Sequence, residues 1–493
     1  MQYKSTRDTR ENPITVSSAE AIKEGLAPDG GLYIPLSFPA LSEADFSALL
    51  SMDYAERAAD ILSRFLTDYD KDALLSDCRE AYSTDRFPGG AAPLYRMENG
   101  IHALELWHGP TSAFKDMALQ IMPRLLSRAL VMTGEKRTAH ILVATSGDTG
   151  KAALEGYKDV PGVKITVFYP VDGVSMMQKR QMQTTTGENV YVCAVEGNFD
   201  DAQNGVKAIF SDKALAEKAN GANFFFGSAN SINWGRLAPQ IVYYISAYCD
   251  LVSSGEISMG DEINVCVPTG NFGNIFAAYI AMQMGLPVKR FICASNSNNV
   301  LTDFFLTGEY DRTRTFHKTI SPSMDILISS NLERLLSVLG GAELCADLMA
   351  KLKADGKYTA PADLMEKIRA HFSGYYCSEE ETAAEIRSAY ENENYLIDPH
   401  TAVGLGCVKK YRAESGDSTP VVLASTASPY KFAPAVADAI GLSYTDDIFA
   451  LLDALSEKTG TAVPVPLAST KDLDIRFTEV VPASAMPDVV FRV

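Results

Sequence analysis

A short apolar run, a Gly- or Ser-rich turn and a helical pattern recur three times in this chain. That recurrence limits the folds open to it. The first copy is the run at 140–145, the turn SGDTG and a helix from Lys151 onward. The second is the run at 263–267, then PTGNFGN, then a helix at 275–284. The third is 420–424, then STASPY, then 431–440. Further apolar runs stand at 164–169, 190–195 and 288–294. Short β-rich runs alternating with helical stretches read as βα units on a parallel sheet, which predicts an α/β fold with mostly parallel sheets. Such sheets bind ligands outside the carboxyl ends of their strands, where all three turns lie. The first 95 residues differ, being mostly helical in pattern with DGGLYIP at 29–35. Residues 307–395 are also mostly helical and charged, and are expected to pack around the sheet instead of extending it.

The 493 residues suggest two or three domains at roughly 100–200 residues each. Lys and Arg total 44 against 62 Asp and Glu, a formal net charge of −18. That balance argues against nucleic acid or an anionic membrane as partner. A small anionic substrate stays open, because it feels only local dipoles and a few placed cations. The eight cysteines form no CxxC, so no disulfide framework is expected and a reducing cytoplasm is. The six histidines form no HExxH, and no metal site is expected. The polar start MQYKSTRDTRENP lacks the apolar core of a signal peptide. No apolar run approaches the roughly 18 residues of a membrane span.

Five segments could carry chemistry. In HGPTSAFKD at 108–116, Gly109 and Pro110 mark a turn and Lys115 opens a helix. The dipole there disfavours an ammonium, and a lysine with lowered pKa suits Schiff-base chemistry. TSGDTG at 145–150 sits between strand and helix, where exposed amides bind carboxylate or phosphate. It fails as a P-loop, which needs Gly where Thr145 stands and Ser or Thr where Ala152 stands. PTGNFGN at 268–274 has two glycines that let backbone wrap a phosphate. STASP at 425–429 offers hydroxyls for a ring nitrogen. NSINWGR at 230–236 offers an arginine fork. Singly, each also has a plainer reading: a solvated lysine, a capped βα turn, a surface arginine. A penicillin-binding-like set is present as Ser112-x-x-Lys115, Tyr390-x-Asn392 and Lys458-Thr459-Gly460. It is rejected because such short fragments arise by chance and the βα pattern does not suit them.

Taken in order, these segments resemble the threonine synthase family. HGPTSAFKD resembles its cofactor-lysine motif. ATSGDTG, SANSIN, PTGNFGN, STASPYKF and the N-terminal GLAPDGGLYIP resemble its other blocks, from about residue 3 to about residue 440. The resemblance implies a two-domain fold type II pyridoxal 5'-phosphate enzyme with a mostly helical N-terminal segment. Its parts are a segment at 1–95, a large cofactor-binding domain at 96–140 and 236–493, and a smaller inserted domain at 141–235. It implies conversion of O-phospho-L-homoserine and water to L-threonine and phosphate.

By the same resemblance, Lys115 matches the lysine that bonds the cofactor. Gly270, Asn271, Phe272, Gly273 and Asn274 match the loop around the cofactor phosphate. Thr426 matches the hydroxyl facing the pyridine nitrogen. Ser146, Gly147, Asp148 and Thr149 match the loop facing the substrate carboxylate and the cofactor's phenolic oxygen. Asn233 and Arg236 are candidates for the substrate phosphate. The family often has Ala-His-Pro where this chain has Ala427, Ser428 and Pro429. A cytoplasmic monomer or homodimer with a small-molecule substrate is expected. A related phospho-lyase or Ser/Thr dehydratase is the same-fold alternative. A phosphate- or nucleotide-binding protein without catalysis is the alternative of another class.

Overall fold

The computed structural model describes residues 1–145, 147–171 and 174–492, and in it the apolar runs become strands of two sheets. Six strands form the larger sheet, in the order Phe372–Tyr376, Val288–Ser295, Ile263–Pro268, Val421–Ser425, Ile101–Glu105 and Leu94–Arg96. All neighbours are parallel except Leu94–Arg96, which runs antiparallel to Ile101–Glu105. Five parallel strands form the smaller sheet: Val480–Val481, Val190–Val195, Val163–Pro170, Thr138–Ala144 and Phe224–Gly227. Strand interiors are buried on both faces, which is why they read as continuous apolar runs.

Two features depart from the sequence reading. Residues 307–395 do extend the sheet, because Phe372–Tyr376 pairs with Val288–Ser295. Phe372 stacks there on Phe291 and Phe305. Its run FSGYY is short and broken by Gly374, a residue forced by the close approach of Phe305, 2.9 Å from where a Cβ would stand. The end of the chain also leaves the 236–493 unit and returns to the smaller sheet through Val480–Val481. Val481, Met486, Val489 and Val490 there bury Phe168, Cys193 and Val206.

The helix Trp234–Ser253 is apolar almost all round and buried along nearly its whole length. It packs against the helix Gly273–Gln283 and against Tyr54–Phe65 of the N-terminal segment. That segment is mostly helical, as its pattern predicts, with one two-stranded ribbon of Tyr3–Ser5 and Tyr33–Pro35. Arg57 anchors it, with Nη1 2.6 Å from Asp250 Oδ1 and 2.9 Å from Ser246 Oγ. All eight cysteines are buried and free. No helix among the described residues is long and apolar enough to cross a membrane.

The short helix Lys115–Leu119, which follows a strand of the larger sheet, lies against the helix Asp148–Tyr157, which connects two strands of the smaller one. Their closest approach is at Gly156, where an added Cβ would stand 1.8 Å from the Leu119 carbonyl oxygen. Gly156→Ala is therefore expected to destabilise the protein by about 3 kcal/mol, the upper end for overpacking. A fall in the urea unfolding midpoint, against a silent Gly221→Ala control, measures it.

Candidate active site

Lys115 is set by its own loop. Asp116 accepts from the Thr111 amide and hydroxyl at 2.8 Å each, closing the turn that throws Lys115 inward. Glycine is required at 109 because a Cβ there would meet Asp116 Oδ2 at 2.6 Å. Burial lifts the Asp116 carboxyl to about 6. The loop is stitched to the STASP turn, because their strands Ile101–Glu105 and Val421–Ser425 pair side by side. The Phe114 amide donates to the Thr426 carbonyl at 2.8 Å and the Ser428 amide to the Ser112 carbonyl at 3.0 Å. Ala113 and Ala427 form an isolated antiparallel bridge. Thus Lys115 and Thr426, far apart in sequence, share one wall.

The smaller sheet supplies the facing wall. Asp148 opens the helix Asp148–Tyr157 with its Oδ2 3.9 Å from Lys115 Nζ. Its Oδ1 takes an ion pair at 2.8 Å from Lys431 Nζ and a hydrogen bond at 2.9 Å from Gln178 Nε2. Ser323 Oγ donates to Asp148 Oδ2 at 3.3 Å. Although burial opposes it, Lys431 and Lys115 together hold the Asp148 carboxyl well below the usual range. Lys115 is lowered as well: burial, with the nearby charges of Lys431 and Arg236, brings it down to about 8 against the pull of Asp148. The helix dipole proposed for Lys115 is thus secondary to desolvation.

The PTGNFGN loop leaves the strand Ile263–Pro268 and enters the helix Gly273–Gln283 through Phe272 at φ +63°. Phe272 tolerates that left-handed conformation because it is buried against Phe305 and Phe372. Asn331 holds the loop from outside, its amide and side chain both donating to the Asn271 carbonyl at 3.0 Å. Among the described residues no protein acceptor takes the amide protons of Gly270, Asn271, Phe272 or Gly273. A Cβ on Gly270 would come within 2.9 Å of the Ser323 carbonyl. Free amides at a helix start, with backbone kept bare, fit a phosphate. Asn274 sits beneath, its Oδ1 accepting from Tyr243 and Tyr244 and its buried Nδ2 left without a partner.

Arg236 is 4% exposed, yet no carboxylate among the described residues pairs with it. Nη1 donates to the Ala229 carbonyl at 2.6 Å and Nε has no partner. Burial lowers it to about 10. Asn233, named with it from sequence, is otherwise engaged. Its Oδ1 caps Gly235 and its Nδ2 donates to the Ile22 carbonyl at 2.9 Å, tying down the N-terminal segment. The Gly147 amide likewise donates to Thr145 Oγ1 at 2.9 Å. Thr149 is half-buried at the helix start, and Ser146 lies outside the described residues.

Sequence reasoning passed over Lys431, Ser323 and His400. Lys431 did leave a signal, a lysine inside the apolar stretch PYKFAP. It is fully buried. Ser323 left none, although its amide also reaches His400 Nε2 at 3.1 Å. His400 is oriented in turn by Asp398 at 2.7 Å. Ser428, in the place of the family's frequent His, is buried and caps the next turn by accepting from the Tyr430 amide.

The family model for pyridoxal-phosphate dependent enzymes matches residues 88–427. Those for the threonine synthase N terminus and C-terminal region match 2–82 and 401–483. Threonine synthase of Pseudomonas aeruginosa is 37% identical, the alignment covering 94% of this chain and 96% of that one. The chain belongs to the threonine synthase family. Its cofactor is pyridoxal phosphate, and the bare amides of the PTGNFGN loop and the desolvated Lys115 fit that group. The crystal structure of pyridoxal-phosphate-bound threonine synthase from Brucella melitensis superposes with a TM-score of 0.88 at 35% identity, covering 100% of this chain and 99% of that one. Human threonine synthase-like 1 is 42% identical over 86% of this chain, but the match spans only 58% of that longer relative.

Because the neutral amine is the form that attacks an aldehyde, capture of pyridoxal phosphate by the cofactor-free protein should accelerate as pH rises through about 8. Borohydride fixation and mass spectrometry of the Lys115 peptide check this. A midpoint near the ordinary 10.5 of lysine would refute the desolvated site.

Proposed function

We propose that this chain converts O-phospho-L-homoserine and water to L-threonine and phosphate, with pyridoxal phosphate joined to Lys115. Arg236 carries the reading. It is a buried cation without a carboxylate, on a different element from the amides at 270–273. One anion site suits the cofactor phosphate, and the second suits a substrate that bears a phosphate of its own. A dehydratase acting on serine or threonine has no use for it.

Bound pyridoxal phosphate supplies an electron sink for a carbanion at Cα. In this reading the amides of Gly270, Asn271, Phe272 and Gly273 hold the cofactor phosphate, and Asn274 braces the loop. The Thr426 hydroxyl meets the ring nitrogen, and Asp148 faces the phenolic oxygen. A hydroxyl does not force a proton onto that nitrogen as a carboxylate would. Lys115, whose amine is freed as pH rises through about 8, moves protons at Cα and then Cβ. Arg236 grips the substrate phosphate until it leaves Cγ, and water then adds at Cβ. Thr149, with Ser146 and Gly147, is assigned to the substrate carboxylate. Since the Gly147 amide is already engaged, the helix-start amides after it take the larger share. The two sheets act as two domains, the smaller one excluding water until the addition step. The buried thiols, all reduced, suit a cytoplasmic setting.

Incubation with O-phospho-L-homoserine should give threonine and equimolar phosphate, and 2-oxobutanoate as the main product would reject the reading. Arg236→Met should raise the KM for that substrate about 10- to 100-fold, as loss of a buried charge-assisted contact does.

A further inference from the structure

Two lysines face one carboxylate, and they face it unequally. Lys431 Nζ is 2.8 Å from Asp148 Oδ1 and is fully buried. Lys115 Nζ is 3.9 Å from Asp148 Oδ2, beyond hydrogen-bond reach. Lys431 is pinned a second time, donating at 2.8 Å to the Thr111 carbonyl of the loop that carries Lys115. Gln178 and Ser323 complete the shell of Asp148 from two further elements. A buried ion pair contributes little net stability, and an apolar residue at 431 would suit the surrounding Pro429, Tyr430 and Phe432 better. The pair therefore calls for another explanation.

We propose that Lys431 is a positioning residue for the cofactor lysine: it holds the Asp148 carboxylate in a direct ion pair and so leaves the Lys115 amine without one. Lys115 then has no hydrogen-bonded ion pair to break before it acts as a neutral base. The inference rests on the assignment of Lys115 as the cofactor lysine. The charged groups facing Lys115 are Asp148 from the smaller sheet, Lys431 from the turn after the strand Val421–Ser425 and Arg236 from the long buried helix. Asp116, on the next position along, feels Lys431 as well.

The test is acetylation of Lys115 by acetic anhydride across pH in the full-length, cofactor-free protein, read by peptide mass spectrometry. Wild type should be half-labelled near pH 8. In Lys431→Met the orphaned Asp148 takes Lys115 as its partner, so the midpoint should rise by roughly one to three units, as for an amine gaining an adjacent opposite charge. Lys431→Arg should restore the wild-type midpoint. Asp148→Asn, similar in shape and uncharged, should shift it the other way, since Lys115 then faces only Lys431 and Arg236. It serves equally if Lys431→Met does not fold. An unmoved midpoint in folded Lys431→Met, or an unmoved or raised one in Asp148→Asn, overturns the proposal. Visible absorbance of wild type with pyridoxal phosphate separates the two failures: no uptake sinks the cofactor-lysine reading, whereas uptake with unmoved midpoints sinks only the role of Lys431.

Discussion

Two buried lysines share one buried carboxylate. Lys115 and Lys431 both face Asp148, and Arg236 lies buried near Lys115 without a carboxylate partner among the described residues. Unmatched charge in a low-dielectric interior is costly, so this arrangement asks for anions from outside. The bare amides at the start of the helix Gly273–Gln283 add to the demand with their dipoles. The whole chain carries −18, but that figure describes the surface. Anions can be drawn into a net acidic protein because field strength there is set by neighbours within a few ångströms.

The sheets depend on this cleft as much as it depends on them. Loops from the larger sheet bring Lys115, Thr426 and Gly270, and a loop from the smaller sheet brings Asp148. Ser323 stands between, touching Asp148 with its hydroxyl, His400 with its amide and the space beside Gly270 with its carbonyl. A shift of either sheet would move the Asp148 carboxylate relative to both lysines. The glycines at 109, 147 and 156 sit where a Cβ would meet backbone or side chains at under 3 Å, so they act as spacers that set this separation.

Much of this was legible in the residue order. Short continuous apolar runs ending in Gly- or Ser-rich turns pointed to the parallel strands and their ligand ends, because strands buried on both faces leave that pattern. The Lys115 loop was legible because Gly109, Thr111 and Asp116 act within one turn. What stayed hidden was set by tertiary contact. Phe372–Tyr376 becomes a strand only because Phe291 and Phe305 receive Phe372. The bond from the Asn233 amide to the Ile22 carbonyl has no signal in the NSINWGR segment. Lys431 was visible as an oddity in an apolar stretch, but only the fold shows which carboxylate it meets.

The stitching of the cofactor-lysine loop to the STASP turn bears on how the chain matures. Lys431 and the Thr111 carbonyl it bonds are 320 residues apart in sequence. During synthesis the N-terminal domain halves can collapse early, since domains tend to fold as they emerge. The pocket cannot, because the turn that completes the Lys115 wall is made 320 residues after the loop to which it is stitched. Such long-range closure is slow and leaves partly formed states exposed. Until it happens, Lys115 lies on a loop whose own wall is unfinished, so ligand capture there would report completed folding rather than guide it.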